Sequence, residues 1–339
     1  MITTILGLGG TALELGLISS LTVLALFLSY TMLNVCDLST DGCFTLGAAV
    51  GAVVAILGHP YLSIVCAMAA GMLSGLVTAI LQTKMGIDSL LSGIIVNTGL
   101  YSVNIAIMGG ASLLNMNKTN TIFTKSKSIL ADTFLSTQYK LVVIVVIVAA
   151  ALVLMTWFLK TRLGLAICAT GNNPDMVKSS SINPAFTTIV GLCLSNSLTA
   201  LSGCLLAQSQ KSVNVSIGSG MLTIALASLL IGRAFLGHGG VGKRAFGAVL
   251  GAFVFRLVYT IALRFNLPAY MLKLVSSIIV ILAISIPYFK GRLPEMQRAR
   301  KAAKFIKAKN PTNSTPQTNP TSPQNIQLEN STNQGGPNA

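Results

Sequence analysis

Gly237-His-Gly-Gly-Val-Gly-Lys243 has the glycine and lysine spacing of a loop that cradles nucleotide phosphates on its backbone N–H groups. Arg244 stands where that loop needs a Ser or Thr hydroxyl for magnesium, and the preceding element reads as a membrane helix, not a buried strand. ATP binding by this chain is thereby rejected, and the run reads as a tight, basic turn. Hydrolytic chemistry fares no better. His59 and His238 are the only histidines, and neither H-E-x-x-H nor G-x-S-x-G occurs, so no histidine-based metal site or triad is in view. Cys36, Cys43, Cys66, Cys168, Cys193 and Cys204 show no C-x-x-C spacing and lie mostly in apolar runs, where they read as small core residues.

What remains is polar chemistry inside apolar runs. Such residues are costly in a bilayer unless they pair with one another or line a cavity. Asn97, Asn104, Ser195, Asn196, Ser197 and Gln208 are of this kind, and either hydrogen bonds between helices or a translocation path explains them. Only eight acids exist. Glu14 reads as an interfacial residue at the outer start of the first run, whereas Asp37-Leu-Ser39-Thr-Asp41-Gly42 lies between the first two runs. That segment offers strong capping groups for the next helix. Alternatively, the next helix starts inside the bundle with its capped end facing a polar cavity. The candidates for a solute path are Asp37, Ser39, Asp41, Asn97, Asn104, Ser195 and Asn196. Arg256 and Lys273 also interrupt apolar runs and need an acceptor.

Composition says what must hold these groups. Of 339 residues, 53% are apolar and 9% charged, and the mean hydropathy is +0.74. A soluble domain carries about 25% charge, so this is an integral membrane protein. Lys and Arg outnumber Asp and Glu by 23 to 8. They sit at the ends of apolar runs and in one tail, without a basic-aromatic groove, so nucleic acid is not the partner; membrane lipid is. The first run lacks a basic flank and is expected to remain in the mature protein.

A span needs about 20 apolar residues. Nine runs qualify, near 12–34, 43–58, 61–82, 88–109, 140–159, 186–208, 219–236, 245–264 and 269–287. The second is short and glycine-rich and reads as a broken helix. The fold expected is an all-α, polytopic membrane bundle of about 8–9 transmembrane helices. Gly47 with Gly51, Gly71 with Gly75, and Gly247 with Gly251 have the four-residue spacing that lets helices approach closely in lipid. Residues 111–139 form the longest outer loop, with room for a small helix, and Asn117-Lys-Thr and Asn214-Val-Ser216 fit a glycosylation sequon.

Basic residues give the orientation. With nine crossings, fifteen fall inside, from Lys84, 160–184, 232–244 and the tail 290–309, against six outside. The C-terminus is then cytoplasmic. The chain divides into a transmembrane domain 1–290, a basic cytoplasmic tail 291–310 and a disordered tail 311–339, which is too polar to bury a core. The segment 160–184, KTRLGLAICATGNNPDMVKSSSINP, is a polar insertion between two spans. Gly171-Asn-Asn-Pro-Asp175 reads as a turn opening a short helix, with Pro174 and Asp175 suited to its first turn. It is a handle for another protein to push on, and Asn172 to Lys178 is the part to be grasped.

At this point the chain resembles a family. GLISSLTVLALFLSYTMLNVCDLSTDGCFTLGAAVGA is similar to the opening of permease subunits of ABC importers for branched-chain amino acids and monosaccharides. Asp37, Leu38 and Ser39 match its D-L-S-x-G turn, with Thr40-Asp41 inserted before Gly42. Gly171, Asn173 and Pro174 match its cytoplasmic loop, while Ser179 to Ile182 replace the usual alanines and glycine. Ala225 to Gly251 resembles its late span, glycine turn and following helix. The closest look is to permeases paired with lipoprotein-type binding proteins, with aromatic amino acids as a candidate solute.

The resemblance implies an ATP-driven importer in the plasma membrane of a bacterium, the inner membrane if Gram-negative. It implies two permease copies, an ABC ATPase subunit holding ATP and magnesium, and an extracytoplasmic solute-binding protein; this chain itself would carry no cofactor. Gly171, Asn172, Asn173, Pro174, Asp175, Met176 and Lys178 would couple to the ATPase. The rival reading is a secondary transporter driven by an ion gradient, which predicts mid-membrane acids and two halves of inverted topology.

Overall fold

Eight of the nine apolar runs fold as helices with ends close to those expected, except that the first helix starts at Ile2, ten residues before the expected 12. The structure is a computed structural model that describes residues 2–117, 119–129, 139–236 and 239–263, with 274, 277–281 and 285 beyond them. Most of the ninth run, Lys273, His238 and both tails lie outside the described residues. In chain order the helices are α1 (Ile2–Leu26), continued by a π-helical turn (Phe27–Met32), α2 (Thr40–Ile56), α3 (Pro60–Thr83) and α4 (Ser89–Ile107). After a short strand β1 (Leu113–Asn115) come α5 (Ile122–Ile129), α6 (Tyr139–Lys160), α7 (Arg162–Asn172), α8 (Pro174–Ser179) and α9 (Pro184–Gln210). Strand β2 (Ser212–Asn214) then leads into α10 (Met221–Leu236) and α11 (Val241–Leu263).

Local chemistry sets many of the ends. The side chains of Asp88, Thr161, Asn173 and Asn183 accept backbone N–H bonds at the starts of α4, α7, α8 and α9, and α3, α8 and α9 open on proline. Gly58 closes α2 at φ +93°, a left-handed conformation that glycine adopts freely. Among the described residues, six helices are long and apolar enough to cross a membrane, and α2 and α10 are shorter. The loop 111–139 holds α5, as expected. It also pairs β1 with β2 in an antiparallel ladder that apolar patterning gave no hint of.

Helix α9 is the axis. Ser195 Oγ donates to the Ala25 carbonyl (2.8 Å) and Ser202 Oγ to that of Ile18 (2.6 Å), tying it to α1. Gln208 donates to Ser63 Oγ (2.7 Å) at the start of α3 and accepts from Ile122 N–H (2.9 Å) of α5. On either side α9 meets glycine. A Cβ on Gly47 of α2 would fall on the Ala200 backbone, and one on Gly203 of α9 would fall on the Phe44 carbonyl. Across the other seam, a Cβ on Gly71 or Gly75 of α3 would come within 2.5 or 2.6 Å of the Asn196 or Leu192 carbonyl oxygen. Gly247 and Gly251 seat α11 on α10 at Gly232 and Ser228 in the same manner. All three glycine pairs read from the sequence are packing contacts, made where backbone must approach backbone.

The two short helices explain the difference from the expected count. Cys43 Sγ donates to the Asn196 carbonyl (3.2 Å), near the middle of the 27-residue α9. That carbonyl lies about 18 Å along the axis from Pro184, at 1.5 Å per residue. So α2 starts halfway through the bundle, and residues 33–39 climb back into it after the π-turn. Gly218, just before α10, lies against the backbone of Asp41, so α10 starts at the same depth. From that shared origin α2 runs towards the β1–β2 end and α10 towards the end where α1 finishes. Broken helices of this kind survive in lipid only where protein or a cavity satisfies their ends.

Arg256 Nε is buried without a hydrogen-bond partner among the described residues. The residue is buried where α11 packs on Gly16 of α1, and its guanidinium lies 5.5 Å from the Tyr259 ring centroid, a cation–π contact.

Candidate functional site

Where α2 and α10 begin, the chain puts a carboxylate. Asp41, in the first turn of α2, accepts N–H bonds from Gly220 (2.9 Å) and Leu222 (2.7 Å), at the start of α10. The sequence suggested capping of α2 by this segment. Instead Asp41 caps the other broken helix, while Ser39 at the N-cap of α2 makes no side-chain cap bond. A carboxylate suits this place, because helix N-termini carry partial positive charge.

Beside it lies a polar cavity of about 280 Å³. Asp41 and Gly42 of α2 line it, with Asn97, Tyr101 and Asn104 of α4 and Val215, Ser216 and Ser219 from the stretch before α10. Asn104 is 1% exposed; its Nδ2 donates to the Gly42 carbonyl (3.2 Å), and its Oδ1 has no partner among the described residues. A larger hollow of about 490 Å³ between α3, α6 and α9 is lined by Met68, Trp157, Leu198 and other largely apolar side chains. Its one hydroxyl, on Ser197, donates to the Leu194 carbonyl. That hollow offers few polar groups to a solute.

The seven path candidates therefore divide. Asp41, Asn97 and Asn104 come together on the polar cavity. Asp37 and Asn196 pair with each other, Nδ2 to Oδ2 at 2.8 Å, both 1% exposed, and Asp37 Oδ1 also accepts the Ser39 N–H (2.8 Å). Ser39 Oγ accepts from Thr78 at 3.4 Å, and Ser195 holds α1. These four tie helices together and do not line the cavity. Tyr101, Ser216 and Ser219 line it in addition to the candidates expected from the sequence. Tyr101 had a visible signal, since Asn97, Tyr101 and Asn104 recur at the i, i+4, i+7 positions of one helix face.

The segment 160–184 forms two helices, one more than expected. The added helix, α7, packs inward through Ile167, through Thr170, whose hydroxyl meets that of Thr187 (2.8 Å), and through Gly171. Cys168 Sγ lies 3.4 Å from Met32 Sδ in the π-turn. Val177 anchors α8. Asn172, Asn173, Pro174, Asp175, Met176 and Lys178 all face outward, and Gly171 is half-buried. Asn173 Oδ1 accepts the N–H groups of Asp175 and Met176, both at 3.1 Å. Lys178 and Asp175 pair at 3.6 Å on the surface, so Lys178→Ala is expected to cost under ~1 kcal/mol in a thermal melt.

An apolar bundle whose broken helices meet at a polar cavity, with a polar two-helix insertion at one end, has the build of a membrane permease. The family described as "Branched-chain amino acid transport system / permease component" matches residues 10–284, and the chain belongs to it. It is similar to the tyrosine transport system permease protein of Clostridioides difficile, 34% identical over 78% of this chain and 86% of the relative. An uncharacterized protein of Rickettsia prowazekii is 29% identical over 81% of this chain and 96% of its own length. The galactose/methyl galactoside import permease of Salmonella typhimurium is 28% identical over 67% of this chain and 66% of its own. No solved structure matches the chain. The chain is thus the permease subunit of an ABC-type importer, and the ion-gradient alternative falls away.

Proposed function

We propose that this permease subunit imports an amino-acid-type solute along a path that passes the Asp41–Asn97–Asn104 cavity, driven by a separate ATPase that engages α7 and α8. One observation carries the coupling part. The α7–α8 pair is fastened to the end of α1 through the inner face of α7, while Asn172–Met176 and Lys178 are exposed on its outer face. The amino-acid class rests on the 34% identity to the tyrosine permease against 28% for the galactose permease.

In this reading two copies of the chain form the pore, with α2 and α10 as parts of 8–9 crossings per copy. An extracytoplasmic binding protein delivers the solute to the outer face of a bacterial plasma membrane. ATP and Mg²⁺ stay in the partner. Segment 160–184, the basic stretch 291–310 and the polar tail 311–339 are cytoplasmic, and the permease domain is 1–290.

Asn173→Ala tests the coupling. It removes the acceptor for two N–H groups of α8, a local cost of about 1 kcal/mol. In the complex purified with its ATPase, solute-stimulated hydrolysis is expected to fall while the subunits stay associated. Unchanged assembly and turnover in Asn173→Ala combined with Pro174→Ala would remove α8 from the coupling role.

A further inference from the structure

We infer that the end of the bundle where α1 finishes holds a site for one anionic phospholipid headgroup, taken through its phosphate by Arg233 and Arg244. Phe27 and Thr31 of the π-turn, Leu229 and Arg233 of α10, and Arg244 of α11 line a small pocket there. Its volume, about 10 Å³, admits one water-sized group. A single oxygen of a larger anion therefore enters, while the rest stays at the mouth beside the exposed Arg233. A nucleotide base or a sugar ring is too large. Arg244 Nε is buried with no hydrogen-bond partner among the described residues, and Thr31 adds a hydroxyl donor to the same lining.

No acid among the described residues meets these two cations. Asp37 is held by Ser39 and Asn196, Asp41 by Gly220 and Leu222, Asp88 by Leu90, and Asp175 by Lys178. Glu14 lies instead in the field of Lys140. The guanidiniums thus face one pocket uncompensated, and Arg244 sits in the first turn of α11, where the positive end of the helix adds to the repulsion. Arginine presents its N–H groups in a planar fork that matches phosphate oxygens. The depth fits a lipid. Tyr30, beside Thr31, is exposed, and so is Trp157, near the end of α6. Helix α6 reaches the level of the pocket, since a Cβ on Gly242 would lie 3.1 Å from Thr156 Cγ2. Amphipathic aromatics of this kind mark the level of the headgroups, and a basic pocket between spanning helices at that level is where anionic ones bind. The π-turn is then gripped from two sides, by Gly171 against the Met32 carbonyl and by the headgroup beside Thr31.

The test uses the complete importer in detergent, titrated with phosphatidylglycerol, phosphatidylcholine or inorganic phosphate while its thermal melt is followed. Phosphatidylcholine carries its own ammonium beside the phosphate and so controls for the acyl chains; inorganic phosphate controls for a free anion. Arg244→Gln and Arg233→Gln each remove one charge from the pocket, and Lys160→Gln removes one from an exposed position outside it. The expected result is protection of the wild type by phosphatidylglycerol alone. Either arginine variant should raise the titration midpoint about ten-fold or more, and Lys160→Gln should leave it unmoved. Equal protection by phosphatidylcholine overturns the assignment to an anionic headgroup, and equal protection by inorganic phosphate overturns the lipid as its source. A midpoint moved alike by all three variants means that diffuse surface charge attracts the lipid, and one moved by none means that the arginines do not hold it; both overturn the site. Absence of protection by any of the three ligands also overturns it. Should Arg244→Gln fail to assemble, Arg233→Gln, at an exposed position, decides between the same outcomes.

Discussion

Asn196→Leu is expected to lower the stability of the purified permease by about 3 kcal/mol and to abolish uptake. Asp37 is 1% exposed and has two hydrogen bonds, from the Ser39 N–H and from Asn196 Nδ2. Leucine fills the volume but gives no donor, so one carboxylate oxygen is left buried without a partner. Asn196→Asp should be worse, since it sets a second carboxylate against the first at the 2.8 Å now spanned by a hydrogen bond. The reversed pair, Asp37→Asn with Asn196→Asp, restores one donor and one carboxylate and is expected to recover at least half of the lost melting temperature. A double-mutant cycle reads this directly. If the swap is no better than the sum of the single changes, the pair is not what holds residues 33–39 in the bundle.

Gly171→Ala is expected to uncouple transport from hydrolysis. The added methyl would fall on the Met32 carbonyl oxygen and 2.7 Å from the Leu33 carbonyl carbon, so α7 must lift off the π-turn. Overpacking against backbone costs about 1–3 kcal/mol, enough to shift how α7 sits by one to two orders of magnitude in population. Solute-stimulated hydrolysis should drop about ten-fold or more, whereas basal hydrolysis by the ATPase is retained. Ser179→Ala, which removes only an exposed hydroxyl bound to the Met176 carbonyl, is the control and should change neither rate. Equal turnover in both variants would mean that α7 does not transmit force to the end of α1.

The sequence exposed those features whose cause lies within a few residues. Apolar length located the helices, charge located their ends, and four-residue glycine spacing located the seams of α2, α3, α10 and α11. The Asn-Pro-Asp run located the start of α8, because a cap and its N–H groups are neighbours in the chain. Other features depend on partners far away. Asp41 caps a helix that begins at Met221, and Asp37 pairs with Asn196, so neither role could be read from the capping pattern around residue 40. The π-turn at Phe27–Met32 is hidden inside a continuous apolar run, where one inserted residue leaves hydropathy unchanged. Leu13–Met32 reads as a single span, although the Leu33 N–H reaches back to the Leu28 carbonyl and Asn34 turns left-handed at φ 57°. Helix α7 was missed because Gly164 and Gly171, which look like breakers, are the residues that let it lie against Leu159 and Met32.

The glycine seams bear on how the subunit can move. Helices separated by side chains can roll, because rotamers rearrange as they do. Where backbone touches backbone, a roll of either partner drives the next turn's side chains into the opposite main chain. Helices α2, α3 and α9 touch in this way on both flanks of α9, so they form one stiff member that tilts or translates as a unit. Any motion of the proposed transport cycle would then fall along its margins. One margin is the face that α2 turns towards α4 and α10, where a carboxylate on the stiff member is hooked to the first N–H groups of α10 by two hydrogen bonds. Asp41 thus ties the three-helix member to the first N–H groups of α10, the contact that any relative motion of the two would have to break.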